Sequence, residues 1–186
     1  MKLKFAAALL AATVLTVPAT GKEILGFGTP DATQFRAKAT AGDAFEILSS
    51  RIARTHATDP DIRMFADMMI TDHTRSTNAL IALGGISKAS IRSKMNAGPD
   101  GKFAANDLLD SDHANELNSL NSKSNDDFNK TYINDQVKGH QDMVSMLEDY
   151  AKNGDNAKLR DFANKILPTV KEHLAKAQGL QKKLGA

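Results

Sequence analysis

The 186-residue chain contains no cysteine and no tryptophan, and only five prolines and two tyrosines. Without cysteine there is no disulfide framework, thiolate metal site, iron–sulfur cluster or cysteine nucleophile. Aromatic residues make up 5% of the chain; β-branched runs are short and two-residue alternation is missing, so no strand pattern of useful length emerges. No glycine-rich phosphate loop, nucleophile elbow or His-Glu-x-x-His motif occurs. What is present, 41% hydrophobic and 25% charged residues, is the composition of one soluble globular domain, which excludes whole-chain disorder.

The first residues read as an address. Lys2 and Lys4 precede an uncharged, mostly apolar run from Phe5 to Val17, and Val17-Pro18-Ala19 offers small residues around a cleavage point. This is the pattern of a secretory signal peptide over residues 1–19. The run is too short for a membrane span, which needs about 20 apolar residues. Lys2 and Lys4 are two of the 24 basic residues, so the remainder carries 22 of each sign. A neutral chain has no basic excess to draw nucleic acid or anionic lipid. The expected product is an exported, soluble protein without a membrane span, periplasmic in a host with two membranes, and open to homo-oligomerisation.

Residues 20–31 read as a flexible lead-in, and residues 32–186 as an all-α four-helix bundle. The first helical pattern runs from Ala32 to about Ala57, with Phe45, Leu48 and Ile52 on one stripe and Phe35, Ala39, Gly42, Glu46 and Ala53 on a smaller one. Asp59 and Pro60 open the second, and Gly84-Gly85 closes it. A long crossover, residues 85–123, holds a short helix around Leu117 and Leu120. Ser124 and Asp127 suggest a capping box for the third long helix, Asn153-Gly154 ends it, and Asp155 is the expected cap of the fourth. Pro168 should kink that last helix. Short links within two hairpins and a long link between them define the ferritin-like variant of the bundle.

One ionisable residue lies on an inward stripe of each long helix: Glu46, His73, His140 and His173. Counted from the hairpin turns, Glu46 and His73 differ in height by three residues and His140 and His173 by five, about 4.5 and 7.5 Å at 1.5 Å per residue. Three imidazoles and a carboxylate meeting in a dry core suit one transition metal, Fe, Mn, Zn or Cu. A metal-free hydrogen-bond cluster in a structural or interaction bundle is the alternative. Asp72 and Glu172, each preceding an inward histidine, with Gln136 and Tyr132, are candidates for orienting the ligands. Met69 and Met143 lie one turn from His73 and His140, but methionine is commoner as core filler than as ligand. His56 and His113 read as surface residues.

The run Phe65-Ala66-Asp67-Met68-Met69-Ile70-Thr71-Asp72-His73-Thr74 resembles the second-helix signature of the exported bacterial family DUF4142. Phe128 through Tyr132 to His140 resembles its third-helix motif, and Phe162-Ala163 through Leu167-Pro168 to His173-Leu174 its fourth. The Glu46 segment fits its first helix. The resemblance implies a ferritin-like fold over roughly residues 32–182 and no settled activity. Di-iron ferritin-like proteins carry Glu-x-x-His on two helices; here Ile70 and Val170 stand where those glutamates would be. A one-metal site or none, in a binding or stress-protection protein and without ferroxidase chemistry, is the expectation, and a metal-dependent oxidoreductase acting on peroxide or oxygen is the further alternative.

Overall fold

Among the described residues there are six helices: α1 (Ala32–His56), α2 (Pro60–Ala82), α3 (Lys88–Lys94), α4 (Ser111–Asn121), α5 (Asn125–Asn153) and α6 (Ala157–Leu184). The computed structural model describes residues 28–85, 87–98, 101–106 and 108–186; the expected signal peptide and residues 20–27 of the lead-in lie outside them. Asp31 opens α1 with a reciprocal capping box, its carboxylate accepting from the Gln34 amide at 2.8 Å while the Gln34 side chain accepts from the Asp31 amide at 3.2 Å. Asp59 caps α2, with Pro60 in its first turn, and Asp110 caps α4. Gly185 ends α6 in the left-handed region, φ +60°, which glycine enters without steric cost.

Two expected caps differ. Ser124 stands at the N-cap of α5 but makes no side-chain cap bond, because Asn125 next to it takes φ +53° and the chain enters the helix out of capping-box geometry. Asp155 does not cap α6. Its carboxylate accepts the Tyr150 hydroxyl at 2.8 Å, and Asn156 takes the cap, accepting from the Leu159 amide at 3.2 Å. The crossover holds a second short helix, α3, where only one was expected. Pro168 lies inside α6, which remains one helix from end to end.

Contacts at the helix ends fix how the long helices run. Arg36, early in α1, donates to the Gly84 carbonyl just past α2 at 2.7 Å. Phe35 stacks on Tyr150, late in α5, with ring centroids 3.8 Å apart. Lys183, at the end of α6, reaches both Asp59 and Asp61 at the start of α2, at 2.7 Å each. Asn129, early in α5, donates to Thr58 between α1 and α2 at 2.7 Å. Helices α1 and α6 therefore run one way and α2 and α5 the other, with α1·α2, α5·α6, α1·α5 and α2·α6 as the packed pairs. The end of α2 and the start of α5 lie at opposite ends of the bundle. The connection between them must run its length, and on the way α4 packs against α1 and α5. Among the described residues, no helix is long and apolar enough to cross a membrane.

The interior is not apolar throughout. One cluster, including Ile52, Ile62, Phe65, Phe128 and Tyr132, fills the end where α5 begins. Another, including Phe35, Leu80, Leu147, Tyr150, Leu159 and Phe162, fills the end where α5 finishes. Between them lies a buried polar layer: Asp43, Glu46, His73, Thr77, Gln136, His140 and His173. Burying that many polar groups at mid-height is unfavourable unless they are paired with one another or with a ligand.

Candidate metal centre

His73 projects inward from α2, His140 from α5 and His173 from α6. Their ring centroids form a nearly equilateral triangle with sides of 5.6, 5.5 and 5.5 Å. They are 4%, 1% and 2% exposed, so no ring nitrogen can rely on bulk water.

One nitrogen of each ring is engaged from behind. His73 Nδ1 meets the Asp43 carboxylate at 2.8 Å, whose other oxygen accepts the Thr77 hydroxyl at 3.1 Å. His140 Nδ1 donates to the Gln136 carbonyl, one turn earlier on α5, at 2.8 Å. His173 Nε2 meets Asp72 at 3.1 Å, and Arg75 holds that carboxylate's other oxygen at 2.6 Å. These bonds fix each ring's orientation and leave its second nitrogen available. The remaining nitrogens, His73 Nε2, His140 Nε2 and His173 Nδ1, have no protein partner. A ligating nitrogen from each ring can be chosen so that all three lie within 4.8 Å of one another. Three atoms so spaced share a point no more than about 2.8 Å from each, so a shift of under 1 Å per ring reaches the 2.0–2.1 Å of a Zn–N bond.

Charge in the layer is set by burial and by these partners. Burial drives His140 down to about 3, with repulsion from His73 and His173 added and the Gln136 carbonyl opposing. Burial and His73 also lower His173, against the pull of Asp72. For His73, burial acts downward too, but the Asp43 hydrogen bond and charge, with Glu46 and Asp72, outweigh it and hold the ring above its usual value. Burial lifts Glu46 to about 7, although His73 and Gln136 pull it down.

The structure gathers the three expected histidines and stations Glu46 elsewhere. Glu46 Oε1 lies 3.6 Å from His140 Nδ1, at the ring edge away from the free Nε2, and Glu46 is not in the convergent group. Its Oε2 is buried without a protein partner. Asp72 orients His173, across the helix pair, rather than the His73 that follows it. Glu172 faces solvent and pairs with Lys176 at 2.7 Å. Gln136 contributes its backbone carbonyl, while its side-chain amide donates to Ser49 at 3.4 Å. Tyr132 shares a hydrogen bond with Ser50 at 2.8 Å in the neighbouring apolar cluster. Met69 is core filler, and Met143 lines the clefts beside the site. His56 stacks on Phe128, and His113 leans on Phe45 with ring centroids 5.0 Å apart.

Asp43 escaped the reading of the sequence. Its signal was available, since it follows Ala39 by four and precedes Glu46 by three on the small-residue stripe of α1. An acid in a helix is by default a solvent-facing one, and only the partner on α2 shows why this one is buried.

Two clefts reach the layer from opposite sides. The larger, about 650 Å³, includes Glu46, His73, Gly139 and His140 in its lining, with residues of α4 at its rim. The smaller, about 180 Å³, touches Asp43, Asp72, His73 and His173. Gly139 has a packing role here, because a Cβ at that position would stand 3.2 Å from Glu46 Oε1.

Fold and site together define a helical bundle with a buried three-histidine cluster. The chain belongs to the DUF4142 family, a domain of unknown function, whose model matches residues 25–180. Among curated proteins and among solved structures, none matches.

Proposed function

We propose that this protein is an exported, ferritin-like metal-binding bundle that holds one transition-metal ion between His73, His140 and His173. The observation that carries the reading is the set of three buried ring nitrogens, each without a protein partner and each on a ring whose other nitrogen is held from behind. A backing carboxylate or carbonyl is what metal-bound histidines ordinarily have. A metal-free cluster would have to pair these three nitrogens with ordered water or bear about 1–3 kcal/mol for each left unmade. An all-nitrogen set suits Zn, Cu or Fe better than Mn, which prefers oxygen. Three protein ligands leave a fourth position for a small exogenous ligand, as in catalytic rather than structural sites. Export rests on the basic start and apolar run of residues 1–19, and a stress-protection role would follow from keeping a reactive ion in a buried site.

Apo protein titrated with Co(II), whose visible absorption reports coordination, should bind one ion per chain with a spectrum dominated by nitrogen ligation. Elemental content below about 0.1 ion per chain after reconstitution with each of Zn, Cu, Fe and Mn would refute the reading. Asp43→Asn removes the charge behind His73 but keeps an acceptor. Competition titration should show metal affinity falling about 10- to 100-fold, with the helical circular-dichroism spectrum unchanged.

A further inference from the structure

We infer that the larger cleft, between α1 and α5 beneath α4, is the route by which a hydrated divalent cation reaches the three-histidine centre; this rests on the metal-binding reading above. The floor of the cleft contains His73, His140 and Glu46, the last 4% exposed with its Oε2 free of protein partners. Such an oxygen, buried at the inner end of an open cleft, is a ready acceptor for a water carried in by the hydrated cation. Toward solvent the walls carry Asp110, Asp112, Glu116, Asp135 and Asp142, against Lys38 and Lys138; Asp110 is held by His113 and Asp142 lies 4.0 Å from Lys138, which leaves Asp112, Glu116 and Asp135 as the acids in excess. The carboxylates stand close enough to feel one another: burial, and then Glu116, lift Asp135 to about 6.

The smaller cleft lacks this character. Its two carboxylates are committed, Asp43 to His73 and Thr77 and Asp72 to Arg75 and His173, and Arg75 and Lys165 line the same space. A negatively lined cleft with low-dielectric walls concentrates cations and raises their association rate, and the effect is screened by salt. The geometry therefore assigns the acidic side as the loading face. It also implies that a ligand completing the metal's coordination through this cleft is neutral or cationic rather than phosphorylated or carboxylated.

Stopped-flow Co(II) binding to the full chain, compared with the Asp112→Asn/Glu116→Gln/Asp142→Asn variant, tests the inference. Asp112 and Asp142 are exposed and Glu116 is half-buried, so the variant keeps the fold, which its melting curve confirms. At about 10 mM salt its association rate should be about tenfold below wild type, with the dissociation rate unchanged, and the difference should close at about 0.5 M salt, where the Debye length is only a few Å. The wild-type rate should itself fall with salt, a measurement that needs no variant. Equal rates for the two proteins at low salt, or a wild-type rate indifferent to salt, overturn the route while leaving the centre standing. Failure of wild type to bind Co(II), together with no retention of Zn, Cu, Fe or Mn after reconstitution, overturns the route and the metal-binding reading together.

Discussion

Replacing His73 by alanine should abolish the thermal stabilisation that metal gives this protein. A ligand that binds only the native state stabilises it by RT ln(1 + [L]/Kd), about 4 kcal/mol at a thousandfold excess over Kd. For a chain of this size that is a rise in Tm of about 8–16 °C, at about 2–4 °C per kcal/mol. With Zn(II) or Co(II) present, wild type should show a shift of that order and His73→Ala none. His140→Ala and His173→Ala should behave alike, because two imidazoles leave the ion short of one of its three protein ligands. His113→Ala is the control: His113 lies at the cleft rim, against Phe45, and its loss should leave the shift intact. Retention of the full shift by all three core variants would show that the ion binds elsewhere.

The second large effect concerns the metal-free protein in acid. His140 has its folded-state value near 3 against an ordinary 6.5, so between those values the unfolded chain binds the extra proton. Stability therefore rises with pH across that window and is lost as pH falls through it. The size is of order 5 kcal/mol at 1.36 kcal/mol per pKa unit. His173, also lowered, acts with the same sign. Glu46, lifted from 4.5 to about 7, acts oppositely: the native state holds its proton longer, and stability falls as pH rises from 4.5 to 7. His73, held above its usual value, has the same sign as Glu46, its contribution being lost as pH rises through its folded value. Comparing wild type with His140→Leu reads out the first effect together with its coupling to His73, His173 and Glu46. Denaturant unfolding from pH 7 to pH 3.5 should show wild type losing several kcal/mol more than the variant. Parallel pH profiles would mean that His140 is not held neutral by its surroundings. In metal-loaded protein the acid loss should be steeper still, because protons compete with the ion for the same nitrogens.

The helices were legible because their signals are local. Asp59 with Pro60, and Gly84-Gly85, act within a few residues of themselves, and inward stripes follow from a 3.6-residue period that neighbours do not alter. Where a cap depends on the incoming chain, locality fails. Ser124 has the right side chain beside a left-handed Asn125, and Asp155 is diverted to the Tyr150 hydroxyl.

The same division runs through the site. Periodicity alone placed His73, His140 and His173 on interior faces, and counting from the turns put them near mid-height. That count set His140 and His173 about 7.5 Å apart along straight helices, whereas their ring centroids are 5.5 Å apart. Long side chains and helix packing close a gap that a ladder of Cα positions leaves open. The count also could not say which edge of an imidazole a carboxylate meets. It put Glu46 in the ligand set, whereas the folded bundle sets it behind His140 and uses Asp43 and Asp72 to orient the other two rings.

By itself the sequence determined six facts of composition and period: no thiol chemistry, equal numbers of acids and bases beyond Lys2 and Lys4, helices rather than strands, two hairpins, a long connection, and three inward histidines. Only the tertiary structure decided which nitrogens are free, which acids stand behind them and which cleft leads in. Those are relations between residues 30 to 100 positions apart, carried by α1, α2, α5 and α6 jointly, and no repeat within a single helix encodes them.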